Sequence, residues 1–330
     1  MQKNNIVEKA IEAPAIALER SIEGGVKIAD NIPFVGQDSI RNANKKAKDY
    51  WYLLGPGLTT GASDDDPSGI ATYSQAGAQA GFGFLWTAAL TFPLMAIIQE
   101  MCARIGLVTG RGLASNIRRH FGRRVLYFST ICLFAANSFN IGADIGAMAN
   151  AVQLINHRLN FGLLVLGFTL FILLMQIFTP YVKYARYLKW LALVLMAYII
   201  SAILAKPDWH TVIKNALIPH ISLNKDSLLI LCAILGTTIT PYLFFWQTSQ
   251  EIEEEIAIGQ KSIKSRAGSS KEQIKKMRID VWSGMFLSNV VMFFIIAACA
   301  SVLFSHGITN INSASQAAQA LKPFAGNASE

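Results

Sequence analysis

The sequence predicts an all-α polytopic membrane protein, on three observations. Of its 330 residues, 52% are apolar and 15% are charged, against roughly 25% charged in an ordinary soluble domain. Nearly uncharged stretches recur from Trp51 to Phe304 between short charged clusters, a pattern typical of successive transmembrane helices. Glycine and proline interrupt two of these stretches in corresponding places. The composition argues against a soluble enzyme and against a nucleic-acid-binding module.

Seven apolar stretches are long enough to cross a bilayer, which takes about 20 residues of helix. The predicted spans are 50–78, 82–106, 124–155, 161–181, 188–205, 228–250 and 281–304. The four cysteines each lie in an apolar run, which favours small core residues over a disulfide framework or a metal cluster.

The basic residues predict the orientation of these spans. If seven spans alternate, 24 of the 29 Lys and Arg residues lie on one side, in 1–48, 104–124, 183–189 and 251–278. By the positive-inside rule this side is cytosolic. We therefore expect a protein of the plasma membrane with a cytosolic N-terminus, whose basic residues contact lipid headgroups rather than nucleic acid.

Acidic residues fall within the predicted spans, whereas no Lys or Arg falls in a span interior. The acids are Asp64, Asp65, Asp66, Glu100 and Asp144. Ionisable groups at membrane depth are costly and usually face a pathway, so an all-acidic set suggests a cation pathway. Glu100 and Asp144 could equally lie near helix ends or form hydrogen bonds within the bundle. The three adjacent carboxylates are harder to accommodate, because the following proline disrupts the helix.

Glycine and proline interrupt the first and sixth spans near their middles. The interrupting residues are Gly61, Pro67 and Gly69 in the first span, and Gly236 and Pro241 in the sixth. Two such spans, five apart, are the sequence signature of an inverted-repeat transporter with a site at the membrane midplane. Unwound backbone there offers carbonyl oxygens, and the carboxylates supply charge.

The interrupted spans also carry a family resemblance. From about Leu54 to the C-terminus the sequence resembles the NRAMP family of divalent metal transporters, and within it the NRAMP-related magnesium transporters. Four blocks match in order: GPGLTTGASDDDPSGIATYSQAGAQAGFGFLW, IIQEMCARIGLVTGRGLA, GTTITPYLFFWQTSQ and AAQALKPFAGNASE. The resemblance implies a LeuT/APC-like fold of paired inverted repeats, with a transported metal ion held between the broken first and sixth helices. It implies no cofactor and no enzymatic activity.

By position, the resemblance places the family's metal-binding aspartate at Asp66 and its carbonyl donor at Thr237. The asparagine of the family's DPGN motif falls on Gly69, and its methionine ligand falls on Thr240. Methionine favours transition metals, whereas oxygen ligands suit Mg²⁺. Gly69 would leave room for water, and Asp65 would add charge beside Asp66. We therefore expect a wide, acidic, all-oxygen site for partly hydrated Mg²⁺, with Mn²⁺ as a second substrate.

Proton coupling requires titratable groups that reach the pathway. The family's histidine after the proline falls on Tyr242, whose side chain titrates near 10 and is a poor relay at neutral pH. The family's acidic pair on the third helix falls on Ile141 and Asp144, so one member is absent. We expect transport without proton coupling, and Glu100, Asp144, Gln247 and Tyr242 are candidates for lining the pathway.

The spans and the resemblance together predict the organisation of the chain. Family members have more helices than the seven found here, so the second repeat is expected to be incomplete. The predicted segments are a cytosolic tail (1–48), a first five-helix repeat (49–205), an extracellular loop (206–227), helices six and seven of the second repeat (228–304) with a cytosolic loop (251–280), and an extracellular segment leading to a missing or partial eighth helix (305–330).

Three other functions are compatible with parts of the sequence. A proton-coupled Mn²⁺/Fe²⁺ symporter would keep the family's usual behaviour, although Tyr242 and Thr240 disfavour it. A truncated, non-transporting fragment is suggested by the early end of the second repeat. A membrane-embedded hydrolase could use residues 64–66, but the sequence lacks a paired metal-ligand motif such as H-E-x-x-H.

Overall fold

The described part of the chain is helical and contains no β-strand. In this computed structural model the described residues are 50–51, 53–219, 224–309, 311 and 316–317. The predicted tail, 1–48, and most of the predicted final segment lie outside them. The all-α prediction is confirmed for the part that is described.

Each predicted span has a helical counterpart. Along the described residues the α-helices are α1 (Pro56–Asp64), α2 (Pro67–Ala80), α3 (Leu85–Thr109), α4 (Leu113–His120), α5 (Gly122–Ile155), α6 (Phe161–Phe178), α7 (Tyr181–Leu191), α8 (Met196–Leu204), α9 (Trp209–Leu217), α10 (Lys225–Thr238), α11 (Pro241–Ala257), α12 (Ile263–Arg266) and α13 (Lys271–Val302).

The first and sixth spans are broken, as predicted. Residues 65–66 separate α1 from α2, and residues 239–240 separate α10 from α11. Pro67 and Pro241 occupy the first position of the second helix at each break, where a missing N–H costs nothing. The glycines expected to interrupt these spans lie inside helices instead: Gly61 in α1, Gly69 in α2 and Gly236 in α10.

Six continuous helical stretches in the described residues are long and apolar enough to cross a membrane, one fewer than predicted. The difference arises because α2 runs through a 3-10 turn into α3, which makes one stretch, Pro67–Thr109. Gly81 has a φ of +58° at this junction, a left-handed conformation that glycine adopts readily.

Two predicted loops contain more helix than expected. The segment 206–227 includes α9 and the start of α10, and the segment 251–280 is covered in part by α11, α12 and α13. Helix α13 begins ten residues before its predicted span because Ser270 and Gln273 form a capping box, in which each side chain accepts the backbone N–H of the other.

Helix α13 lies at the centre of the packing. Its buried apolar residues form a core with α2 and the start of α3, and this core includes Val291, Met292, Ile295 and Ile296. Helices α5 and α6, by contrast, expose large apolar side chains such as Phe134 and Phe171. Exposed apolar surface of this kind suits contact with lipid.

Helices α1 and α13 approach each other at backbone distance. A Cβ atom added to Gly284 would lie 2.0 Å from the Gly57 carbonyl oxygen, and one added to Gly61 would lie 2.3 Å from the Gly284 carbonyl oxygen. Small residues spaced by four, as Gly57 and Gly61 are, permit such close packing in membranes.

The buried Asp280 of α13 also holds the beginning of α1. Its Oδ1 accepts the N–H groups of Gly55 and Leu58 at 2.7 and 3.1 Å, and its Oδ2 accepts that of Gly57 at 2.7 Å. These N–H groups belong to the first turn of a helix, where no helical acceptor is available. Asp280 therefore caps α1 from a neighbouring helix.

Contacts join the predicted cytosolic basic segments in pairs, 104–124 with 251–278 and 183–189 with the chain just after the tail. Arg278 bonds to Glu100 beside Arg104, and the N–H of Gly268 donates to the Val108 carbonyl at 2.9 Å. Lys189 donates to the Leu54 carbonyl at 2.6 Å. The side of the membrane on which these segments lie stays a prediction.

We expect Gly284→Ala to destabilise the folded protein by about 1–3 kcal/mol, because the added methyl group would overpack the contact with Gly57. Gly142→Ala on α5 is the matched control, since a Cβ added there meets no atom within 4 Å. Thermal unfolding in detergent measures both variants. Equal midpoints for the two would contradict the proposed importance of this contact.

Candidate metal site

Asp66 lies at the break between α1 and α2 and caps α2. Its Oδ1 accepts the backbone N–H groups of Ser68 and Gly69 at 2.9 and 2.8 Å and the Ser68 hydroxyl at 2.7 Å. An aspartate before a helix commonly satisfies free N–H groups in this way. The carboxylate is therefore fixed at the break by its own chain.

The other oxygen of Asp66 faces two further helices. Its Oδ2 accepts the Asn140 amide of α5 at 2.9 Å and the Tyr242 hydroxyl of α11 at 3.2 Å. The Asn140 amide also lies 3.5 Å from Asp144 Oδ2. Asp66, Asp144 and Tyr242, three of the predicted residues, are thus brought together, and Asn140 joins them.

Gly69 and Thr237 lie side by side across the two breaks. Gly69 is buried, and a Cβ atom added to it would lie 3.1 Å from the Asp64 carbonyl oxygen and 3.4 Å from the Thr237 hydroxyl. We expected the missing side chain of Gly69 to leave open room for water. That expectation is wrong, because other atoms already lie where the side chain would be. The Thr237 hydroxyl and the Asp64 carbonyl occupy that space.

Several oxygen atoms near the break are buried and make no hydrogen bond to any described residue. They are Oδ1 of Asp64, both carboxylate oxygens of Asp65, the Thr240 hydroxyl and Oδ1 of Asp144. Asp64 and Asp65 are 1% and 5% exposed. Buried polar atoms without partners are rare in proteins, and each calls for a physical explanation.

Glu100 lies in a separate ion-pair cluster. Its Oε1 bonds to Arg104 at 2.7 Å and to Arg278 at 2.8 Å, and its Oε2 accepts the Trp282 indole N–H at 2.8 Å. These contacts tie the end of α3 to the start of α13. The structure therefore does not bring Glu100 together with Asp66, and a pathway role for it stays a prediction.

Gln247 belongs to a buried polar network between α1, α3 and α11. Its carbonyl oxygen accepts the Thr60 hydroxyl at 2.5 Å and the Gln99 amide at 3.2 Å, and its own amide donates to Glu251 at 2.8 Å. Glu251 and Glu255 are only 6% and 3% exposed. Two carboxylates at the start of the predicted cytosolic loop (251–280) are therefore buried.

The four cysteines divide between core and surface. All are free thiols; Cys102 and Cys299 are buried, whereas Cys132 and Cys232 are exposed. The prediction of core positions holds only for the first two. Within the described residues, no group of three or more His, Cys, Asp and Glu side chains is arranged to hold a metal ion. A metal site here must therefore combine carboxylates with hydroxyl, amide or backbone oxygens.

A comparison of the sequence with known protein families identifies the family of this chain. Residues 57–330 match the model of the Nramp family, natural resistance-associated macrophage protein-like. The chain belongs to this family. The predicted family resemblance is thereby confirmed.

Relatives of this Nramp chain include transporters from bacteria. It is 26% identical over 294 residues to the divalent metal cation transporter MntH of Klebsiella pneumoniae (strain 342), which covers 88% of this chain and 68% of the relative. It is 27% identical over 278 residues to MntH of Yersinia enterocolitica, covering 84% of this chain and 65% of that protein. These names agree with the prediction that the chain is not an enzyme.

A solved structure shares the fold. The Eremococcus coleocola manganese transporter, in complex with an aromatic bis-isothiourea compound, superposes with a TM-score of 0.59 at 19% identity. The match covers 86% of this Nramp chain, which spans 64% of the length of that chain. The likeness confirms the predicted LeuT-like fold class.

Two residues that shape the site in this Nramp chain, Asn140 and Asp280, are not among the predicted site residues. Asn140 lies four residues before Asp144 and so shares its helix face, but no local pattern pairs it with Asp66. Asp280 was overlooked because it falls just before the predicted seventh span. The sequence signal that could have identified Asp280 is an acidic residue at the edge of an apolar stretch.

We expect Asp66→Ala to lower the free energy of unfolding by about 0.5–2 kcal/mol, because it removes the cap of α2. Asp66→Asn should preserve most of that stability, since asparagine caps helices about as well as aspartate. Thermal unfolding of both variants without added metal measures the difference. Equal losses in the two variants would contradict a capping function.

Proposed function

We propose that this Nramp chain transports divalent metal ions, with Mg²⁺ and Mn²⁺ as substrates, through a site between the two broken spans. The observation that carries the proposal is the position of Asp66. It is a partly buried carboxylate at a helix break, and ionisable groups within a membrane usually serve a pathway. In support, the relatives described above are named divalent metal cation and manganese transporters.

The donors near Asp66 favour a hard cation. The side chains that bond to Asp66 are Ser68, Asn140 and Tyr242, which carry hydroxyl and amide groups. Thr237 lies in the last turn of α10, where carbonyl oxygens lack helical partners. Thr240 places a hydroxyl where the family has methionine. Oxygen donors of this kind suit Mg²⁺ and Mn²⁺ better than softer metals.

We propose that transport is not coupled to protons. Tyr242 donates its hydroxyl proton to Asp66, and a phenol titrates too high to relay protons at neutral pH. A divalent ion gains about 4.6 kcal/mol per 100 mV of inside-negative potential. The potential therefore supplies a sufficient driving force for uptake across a plasma membrane with the N-terminus in the cytosol.

A specific contact favours a second candidate, a proton-coupled Mn²⁺/Fe²⁺ symporter. The Asn140 amide lies within 3.5 Å of Asp144 and bonds to Asp66. Asp144 could therefore respond to the charge at the metal site. An amide does not itself titrate, which is why we rank this candidate second. Acidification of the liposome lumen during metal uptake would favour it over uncoupled transport.

We expect Asp66→Asn to reduce Mg²⁺ and Mn²⁺ uptake into proteoliposomes to the level of protein-free liposomes, because the ion loses its charged ligand. The assay uses the full chain with an inside-negative potential. Asp226→Asn, which removes an exposed carboxylate in the first turn of α10, is the matched control. Undiminished uptake by the Asp66 variant would overturn the site assignment.

We expect Thr240→Met to shift selectivity from Mg²⁺ toward softer ions such as Cd²⁺, by roughly tenfold, the lower end of changes seen around metal sites. A thioether binds soft metals well and binds Mg²⁺ only weakly. Competition of each ion with Mn²⁺ uptake measures the shift, with Thr240→Val as the control that removes the hydroxyl without adding sulfur. The same shift in both variants would contradict a ligand position at residue 240.

A further inference from the structure

The break between α1 and α2 has acidic groups on two different faces. Asp66 faces α5 and α11 through Asn140 and Tyr242. Asp64 instead accepts the Ser288 hydroxyl of α13 at 3.1 Å. Asp65 also lies near Ser288, whose hydroxyl proton goes to Asp64, and it interacts electrostatically with Tyr198 of α8. Adjacent carboxylates in the sequence are therefore directed at different neighbouring helices.

The second face contains acceptor atoms that no described residue satisfies. Both oxygens of Asp65 and Oδ1 of Asp64 are buried without a hydrogen-bond donor. The Thr240 hydroxyl lies close to Asp64, yet its oxygen also makes no hydrogen bond within the described residues. Ser288 is 1% exposed, so this face is closed on the side of α13.

Two buried carboxylates in this position require a compensating charge. Transfer of an ionised carboxylate into a protein interior is very costly unless it is paired. Arg104 and Arg278 form ion pairs with Glu100, and Lys276 forms one with Glu272. Neither Asp64 nor Asp65 takes part in them. Protons or a bound cation must therefore neutralise this pair.

We propose that Asp64 and Asp65, together with Ser288 and with Thr240 as a hydroxyl shared between the two sites, bind a second divalent cation beside the ion at Asp66. Two carboxylates match the charge of one divalent ion, whereas a monovalent ion would leave one negative charge buried. Asp64 Oδ1, the two Asp65 oxygens and the two hydroxyls supply up to five oxygen ligands. Hard divalent ions prefer six or more oxygens, so one water or carbonyl would complete the shell.

This inference rests on the proposed function, since the second ion is of the same class as the transported one. The sequence suggests that Asp65 adds charge to the Asp66 site. In this proposal Asp65 belongs to the second site instead, on the opposite face of the break from Asn140. The ion bound there would offset the negative charge of Asp64 and Asp65 next to Asp66. The second ion would therefore tune the affinity of the first.

The test counts Mn²⁺ ions bound to the purified full chain in lipid nanodiscs, by equilibrium dialysis with elemental analysis. We expect two ions per chain, and one in Asp65→Asn. Ser288→Ala should weaken binding of one ion while leaving the other unchanged. Asp66→Asn should also leave one ion, and the exposed-site control Asp226→Asn should leave two. Electron paramagnetic resonance should show dipolar broadening between the two Mn²⁺ ions only in the wild-type chain and the control.

One ion in the wild-type chain, lost in Asp66→Asn and retained in Asp65→Asn, would overturn the second site and leave the proposed function intact. Loss of the same single ion in both variants would also overturn it, since one shared site would then explain both residues. Infrared difference spectra on Mn²⁺ addition give an independent measure. Protonated carboxyl bands that are unchanged by metal, and that Asp64→Asn and Asp65→Asn remove, would show that protons neutralise the pair and would overturn the proposal.

Discussion

A helix that breaks inside a membrane must satisfy its freed backbone groups from within the protein, because hydrocarbon offers no partners. This Nramp chain meets that constraint with carboxylates. Asp66 accepts the N–H groups that the break frees at the start of α2. Asp280 accepts the N–H groups at the other end of α1, away from the break. The position of the candidate metal site follows from these caps, since they fix the two half-helices on either side of the break.

The two oxygens of Asp66 consequently have different partners. One bonds to the backbone of its own helix and cannot leave without exposing N–H groups to an apolar environment. The other accepts hydrogen bonds from Asn140 and Tyr242, which a metal ion would replace under the proposed function. A cation that binds here would replace side-chain donors without dismantling α2. The site can thus change its occupant while the break keeps its geometry.

Much of this arrangement was predictable from the sequence. Pro67 and Pro241 mark the two breaks, and the acidic triplet beside the first one identifies the region of the site. Other features depend on contacts between helices that are remote in sequence. Asn140 reaches Asp66 across 74 positions, and Gly284 contacts α1 through a spacing that only the packing reveals. Local patterns specify where a helix breaks, but not which helix lies opposite.

The acidic triplet shows the same distinction most clearly. Its three carboxylates are consecutive, so the sequence suggests one acidic site, yet successive residues near a helix end project about 100° apart at 3.6 residues per turn. Asp66, already outside α1, faces α5, whereas Asp64 bonds to α13. Asn140 is therefore the hydrogen-bonded neighbour that links Asp66 to a second carboxylate. That carboxylate, which adds charge to the site, is Asp144. Acidity at the Asp66 site is built between two helices, and its selectivity should depend on α5 as much as on the triplet itself.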